Sequence, residues 1–501
     1  MAERSRGEPV GRVTLCIGGR WEEGKLDPVE LRSPATGELI ASVDQGTRDA
    51  VDQAVTAASN AAPRLASLTA FERADLGHRV ADLLLQRKEE IARDISLEQG
   101  KPYATQALPE VEVAAAMFRD AAEGVKRFTS PSIPSADAAK RVLTVRQPRG
   151  VYGILTPWNF PMAIPSEYLS AGLAAGNAMV WKPSEWTPLS ARHLTQCFLD
   201  AGVPDGTLNL VLGDPVEVGD EVAGHPGVVA IGLTGSTGTG EIVARRAAGK
   251  PMLLELGGNG PTIIFDDADL SQAIARTAFG CFENAGQICD ATERILVQAS
   301  VHDEVVAGLV DRARQVRLGS PFDSATTMGP LTNEPTAAKV DDHLHDAEAK
   351  GAHILYGGGR ADGLPTRLYY EPTVVEGLST ATKLHDEETF GPVAPVMSFV
   401  DEAEALRVAN AAPLGLAGSV FTRDLRRAMR VAERLQTGVV NVNEGSAYWQ
   451  PHTPFGGFTG KRSGIGRIGG VHTLLEMTQL KTITIDVGNG DDEAEPRRRE
   501  G

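Results

Sequence analysis

The sequence predicts an α/β fold: a parallel sheet with crossover helices, followed by a second α/β region. Two observations predict it. Between Gly150 and Leu256, short apolar runs at 151–155, 178–181, 208–212, 228–233 and 252–256 alternate with helical patterns at 164–175, 188–201, 216–223 and 238–248. That alternation marks parallel strands joined by crossover helices. Beyond Leu256 it resumes, with strands expected at 262–265, 294–298, 353–356, 393–400, 418–421 and 439–442 and helices at 269–283, 301–317, 333–350, 401–411 and 424–436.

The flanking elements follow in order. Residues 1–10 are polar and read as a frayed end. Segments 15–21 and 31–43 read as short strands, with Gly18-Gly19 and residues 34–37 as turns. Residues 48–60 and 71–99 are helical in pattern. In the latter Leu76, Val80, Leu83, Leu84, Ile91 and Ile95 share one face, and Gly100-Lys101-Pro102 stops the helix. Residues 111–128 continue as helix, 129–138 form a Pro- and Ser-rich connector, and 141–147 and 481–486 are strands. The charged, Gly-rich end reads as a disordered tail.

The chain has 501 residues, too many for one simple core, so two or three domains are expected. A net charge of -17, from 66 acidic and 49 basic residues, argues against nucleic acid or an anionic membrane as partner. Cys16, Cys197, Cys281 and Cys289 form no C-x-x-C pair, so neither disulfides nor a metal site is expected. No apolar run is long enough for a membrane span, and no signal peptide is legible. The expected location is cytoplasmic.

Ligands of parallel sheets sit beyond the carboxyl ends of the strands, so the residues there carry the chemical argument. The first strand ends in Thr156-Pro157-Trp158-Asn159-Phe160-Pro161. Asn159 reads either as part of a rigid aromatic turn or as a preorganised amide for a developing oxyanion. Lys182 and Glu185 follow the second strand, placed as a surface ion pair or as partners of a nucleotide ribose. Gly235, Ser236 and the small residues up to Gly240 open a helix whose N-terminus suits a pyrophosphate. Glu255 ends the fifth strand, hydrogen-bonded to the following glycine amides or left as a base of raised pKa. Asn284-Ala285-Gly286-Gln287-Ile288-Cys289 lies between a helix and a strand, where a thiol can approach a substrate. Glu388 and Phe390 pair an acid with an aromatic ring two residues on.

Together these stretches resemble the NAD(P)-dependent aldehyde dehydrogenase superfamily, in family order from about Leu31 to Asp486. The resemblance implies a Rossmann-like cofactor domain (1–127 and 149–257), an α/β catalytic domain (258–460), oligomerisation elements (128–148 and 474–487) and a tail (488–501). It implies Cys289 as nucleophile, Asn159 as oxyanion donor and Glu255 as general base. Trp158, Lys182, Glu185, Gly219, Gly235, Ser236, Glu388 and Phe390 match cofactor-contacting positions. The implied cofactor is NAD, with NADP as the alternative, and the implied assembly is a dimer or tetramer.

Three positions depart from the family pattern. Ile468 follows Arg467 where the family often has glutamate. Asp290 follows the nucleophile where many members carry a small, apolar or hydroxyl residue. Glu167 stands where succinic-semialdehyde members tend to carry arginine. If Glu167 and Asp290 face the substrate, two acids would repel an anionic aldehyde, and Trp449 and Phe455 would favour a neutral hydrophobic or aromatic one. If Glu167 faces solvent and Asp290 bonds to backbone, that argument lapses. The alternatives are succinic semialdehyde or an aminoaldehyde as substrate, and CoA-acylating or non-redox esterase chemistry. An intact Glu255 argues against the CoA reading. The contacts of Lys182, Ser236 and Glu388 argue against the esterase.

Overall fold

Apolar runs without alternation belong to strands buried on both faces, and the first sheet is built from them. The structure, a computed structural model, describes residues 11–488. Five parallel strands form the centre of the sheet, in the spatial order Met252–Glu255, Ala230–Thr234, Val151–Leu155, Ala178–Lys182 and Leu208–Leu210. The chain runs outward from Val151–Leu155 in one direction, then returns to build the other half. The order therefore reverses beside that strand, opening a crevice at its carboxyl end. The loops holding Asn159 and Gly235 leave from the two sides of the reversal. Antiparallel additions close the edges: Leu15–Ile17 beside Leu208–Leu210, and Gly464–Ile465 beside Met252–Glu255.

Only four residues separate Glu255 from Gly260, the first residue of a strand in the second sheet. That sheet runs His353–Tyr356, Thr373–Glu376, Val393–Phe399, Thr292–Gln298, Gly260–Ile264, Ala417–Phe421, Val439–Val442, parallel apart from its first pair. Residues 256–259 thus join the two sheets, and both Glu255 and Cys289 lie next to that junction. A three-stranded antiparallel arm pairs Lys140–Pro148 with Thr478–Asp486 on one side and Ser132–Ile133 on the other.

Several expectations need correction. The helix expected over 71–99 is two helices, Ala70–Gln86 and Lys88–Gln99, broken at Arg87 (φ -104°, ψ 11°). The first begins with a reciprocal Thr69–Glu72 capping box. The connector at 129–138 contains the strand Ser132–Ile133. Thr373–Glu376, flanked by Pro372 and Gly377, was not expected as a strand, nor was Gly464–Ile465, which carries the chain beyond Gly460 back to the first sheet. The frayed end at 1–10 and the tail from 489 onward lie outside the described residues. Among the described residues, no helix is long and apolar enough to cross a membrane.

Candidate active site

The helix Leu270–Phe282 ends in a tight turn in which Asn284 (φ 49°), Ala285 (φ 54°) and Gly286 (φ 74°) are all left-handed. For the two non-glycine residues this costs on the order of 1 kcal/mol each, so the surroundings must over-determine the turn. They do. Gln99 Nε2 donates to Asn284 Oδ1 (3.0 Å), and Gln287 Nε2 donates to Asn284 O (2.8 Å). The Thr332 amide donates to Gln287 Oε1 (2.9 Å). Gly286 admits no side chain, because a Cβ there would lie 2.1 Å from Gly391 O. The turn delivers Cys289 to a partly exposed position, whereas Cys16, Cys197 and Cys281 are buried; all four are free thiols. Gly258 packs under the Cys289 carbonyl, where an added Cβ would come within 2.0 Å. Burial holds the Cys289 thiol well above its ordinary pKa, reinforced by Asp290, Glu388 and Glu255. The resting group is therefore a thiol and must surrender its proton to act.

Asn159 is buried, and its Nδ2 donates to Gln287 O (3.0 Å), two residues before the thiol. Its second amide hydrogen is left for another acceptor. Its own carbonyl accepts from Asn284 Nδ2 (3.2 Å) and Lys101 Nζ (2.8 Å). The reading of Asn159 as a turn packed on aromatics and its reading as a fixed donor are therefore both compatible with its contacts.

Glu255 is buried, and neither carboxylate oxygen has a hydrogen-bond partner. The alternative in which it bonds to the following glycine amides is not what the structure places there. The Gly258 amide donates instead to Glu388 Oε1 (3.0 Å). Burial pushes the Glu255 carboxyl well above its usual range, with Arg467 opposing and Glu167 adding to the shift. Gly456 leaves it room, since a Cβ there would sit 2.9 Å from Oε1. A buried, unpaired carboxyl close to a thiol is costly to stability and is suited to proton transfer.

The crevice at the strand reversal has the features a dinucleotide requires. Buried Lys182 lies 3.7 Å from Glu185, whose side chain is exposed. A Cβ added to Gly219 would meet nothing within 4 Å, so open space faces that backbone. Ser236 caps the helix Thr237–Arg246 by accepting from the Thr239 amide (3.2 Å), and Gly235 precedes it. Trp158 and Phe390 meet edge to face with centroids 5.5 Å apart. Phe390 is itself left-handed (φ 60°). Sequence reasoning missed the group that holds it: buried Glu293 accepts from the Thr389 and Phe390 amides, each at 2.7 Å. The open space at Gly219 and the capped helix N-terminus at Ser236 are compatible with NAD(P).

The sequence model of the aldehyde dehydrogenase family matches residues 21–483. The chain belongs to the aldehyde dehydrogenase family. It is 40% identical to the mitochondrial succinate-semialdehyde dehydrogenase of Arabidopsis thaliana, over 97% of this chain and 91% of that one. It is 37% identical to the NADP(+) succinate-semialdehyde dehydrogenase of Escherichia coli K12, over 95% and 98%. Its structure is similar to that of betaine aldehyde dehydrogenase from Staphylococcus aureus in complex with NAD+, with TM-score 0.92, 34% identity and 97% coverage of each chain.

The two acids weighed as substrate contacts are both buried in this aldehyde dehydrogenase. Glu167 does not face solvent: it is buried, and its Oε1 accepts from the Gly469 amide (2.9 Å) and from Thr473 Oγ1. It thereby holds the start of the helix Val471–Glu476. No sequence signal joins residues 302 and 306 positions apart. Asp290 is also buried, and burial pushes both acids up to about 7. At neutral pH each is only partly ionised, so their repulsion of an anion is weaker than their residue types suggest. Trp449 and Phe455 do come together, edge to face at 6.0 Å, and the indole N–H has no partner. Arg462 Nε donates to Glu241 (2.8 Å), on the helix Thr237–Arg246.

Glu167 gives a stability prediction. Its folded pKa lies above the ordinary carboxylate value, so the folded state binds the proton more tightly than the unfolded state. Stability is therefore lost as pH rises from the ordinary carboxylate range through about 7. Glu167→Gln keeps an acceptor for Gly469 and Thr473 but removes the titration. Thermal melts from pH 5 to 8 should show the variant gaining on the parent, by about 3 kcal/mol at full ionisation. A difference independent of pH would refute the assignment.

Proposed function

We propose that the protein oxidises an aldehyde to a carboxylic acid with NAD(P), and that the aldehyde carries a carboxylate. The reading is supported by one arrangement: the Asn159 amide bonds to Gln287 O, two residues before a partly exposed Cys289, and the unpaired Glu255 carboxyl lies close enough for its charge to act on that thiol. Cys289 gives its proton to solvent at its partly exposed face, Sγ adds to the aldehyde carbon, and the oxygen that gains charge is met by Asn159 Nδ2 and the Cys289 backbone N–H. Bound NAD(P) supplies the hydride acceptor. The acyl group then stays on Cys289 as a thioester. Glu255 takes a proton from water, the water oxygen attacks the acyl carbon, the C–S bond breaks, and the carboxylic acid departs.

The finer substrate assignment is supported by the succinate-semialdehyde dehydrogenases among the relatives, and by Arg467, a cation close to Glu255. A neutral hydrophobic or aromatic aldehyde is the second reading, favoured by the Trp449–Phe455 pair. A matched panel of succinic semialdehyde, benzaldehyde, hexanal and an aminoaldehyde decides between them. The first reading expects the highest kcat/KM for succinic semialdehyde; a maximum for benzaldehyde or hexanal overturns it.

The same assays, run with both cofactors, test cofactor choice. Glu185 would accept from a ribose 2′-OH and repel a 2′-phosphate, so NAD should be preferred. A clear NADP preference would mean that Lys182 governs the site. Self-association is also proposed, through the antiparallel arm, where Ile133, Leu480 and Ile485 are exposed. A cytoplasmic location belongs to the same reading.

A further inference from the structure

A buried ion pair that the chemistry above does not use lies directly behind the oxyanion residue. Lys101 and Glu110 are wholly buried and 2.6 Å apart. Each uses its remaining capacity on the turn that carries Asn159. Lys101 Nζ donates to Asn159 O (2.8 Å) and stands 3.9 Å above the Phe160 ring. Glu110 Oε1 accepts from the Met162 amide (2.8 Å) and the Ala163 amide (3.2 Å), at the start of the helix Ala163–Ala175.

The same cluster reaches the thiol turn. Gln99 Oε1 accepts from the Lys101 amide (2.8 Å), and Gln99 Nε2 donates to Asn284. Asn284 Nδ2 donates to both Asn159 O and Gln287 O, each at 3.2 Å. The oxyanion turn and the nucleophile turn are therefore pinned to one buried ammonium–carboxylate pair. That pair comes from a part of the chain that supplies no other group to the reaction.

Burying two charges is expensive, and an apolar pair of similar volume often serves stability as well. What an apolar pair cannot do is fix a carbonyl and two amides in one orientation. A donor displaced by about 1 Å can cost on the order of 100-fold in rate.

We propose that Lys101 and Glu110 are positioning residues that fix the Asn159 amide relative to Cys289, acting through the Asn159 carbonyl and the 162–163 amides. The proposal rests on Asn159 being the oxyanion donor. It is tested by a double-mutant cycle in the full chain with a saturating aldehyde and NAD. Lys101→Met/Glu110→Gln removes both charges while leaving an acceptor for the two amides.

In the parent background kcat should fall roughly 10- to 100-fold. In an Asn159→Ala background the same change should add less than about twofold, because the group it positions is gone. Alkylation of Cys289 by iodoacetamide, which forms no oxyanion, should keep its rate within about twofold in every variant. Should the double variant not fold, Lys101→Met alone enters the same cycle, with Glu110 still held by the two amides. Equal losses of kcat in both backgrounds would overturn the proposal and leave the pair a merely structural role. If Asn159→Ala alone leaves kcat unchanged, it is the oxyanion reading that fails.

Discussion

Replacing Cys289 with alanine should lower aldehyde oxidation by four or more orders of magnitude, the scale of loss expected when a covalent nucleophile is removed. The reason is structural as well as chemical. Cys16, Cys197 and Cys281 are buried, whereas Cys289 is partly exposed at the end of its turn. None can substitute. Cys16→Ala and Cys197→Ala should leave kcat within about twofold, with only the stability cost of a small core cavity. Cofactor binding should survive in Cys289→Ala, since Lys182 ends a strand, Ser236 caps the helix Thr237–Arg246 and Gly219 lies in the helix Glu217–Gly224, none of them on the turn that carries Cys289. Initial rates and NADH titration check both halves. Near-normal turnover in Cys289→Ala would remove the covalent step from the mechanism.

The Glu255→Gln variant should slow release of the acid roughly 100- to 10,000-fold, the range ascribed to general acid–base catalysis, while sparing formation of the acyl enzyme. Rapid mixing with aldehyde and NAD should then show a burst of about one NADH per site followed by a slow steady rate. The pH profile sharpens the test. The folded Glu255 carboxyl titrates well above its ordinary range because of its burial. It gains basicity only as pH rises through that raised value, so the parent's deacylation rate should climb with pH. Glutamine cannot titrate, so this limb should vanish in the variant. Loss of the burst with normal deacylation would assign the base elsewhere.

The sheet strands were legible because parallel strands are apolar along their whole length, and their carboxyl ends therefore marked Asn159, Lys182, Ser236 and Glu255 as candidates by position. The helix break at Arg87 was not legible, because the apolar periodicity continues across it. Thr373–Glu376 and Gly464–Ile465 escaped because four and two residues are too few to show a pattern. The supports of the site were invisible for a different reason. Lys101 meets Asn159 across 58 positions, Glu110 meets Met162 across 52, and Glu293 meets Phe390 across 97. In sequence each is an ordinary charged residue on or beside a helix or strand. Glu167 shows the converse. The family resemblance put it near the substrate, and its buried hydrogen bonds to Gly469 and Thr473, from the far end of the chain, could not be read from sequence.

The central claim is that the aldehyde passes through an acyl group carried on Cys289, and peptide mass spectrometry of Glu255→Gln tests it most directly. The variant is mixed with one aldehyde and NAD, quenched in acid within the burst, and digested. The account predicts one acyl group per chain, on the peptide containing Cys289, in amounts equal to the NADH formed. NADH formed without any adduct, or an adduct on another residue, would contradict it.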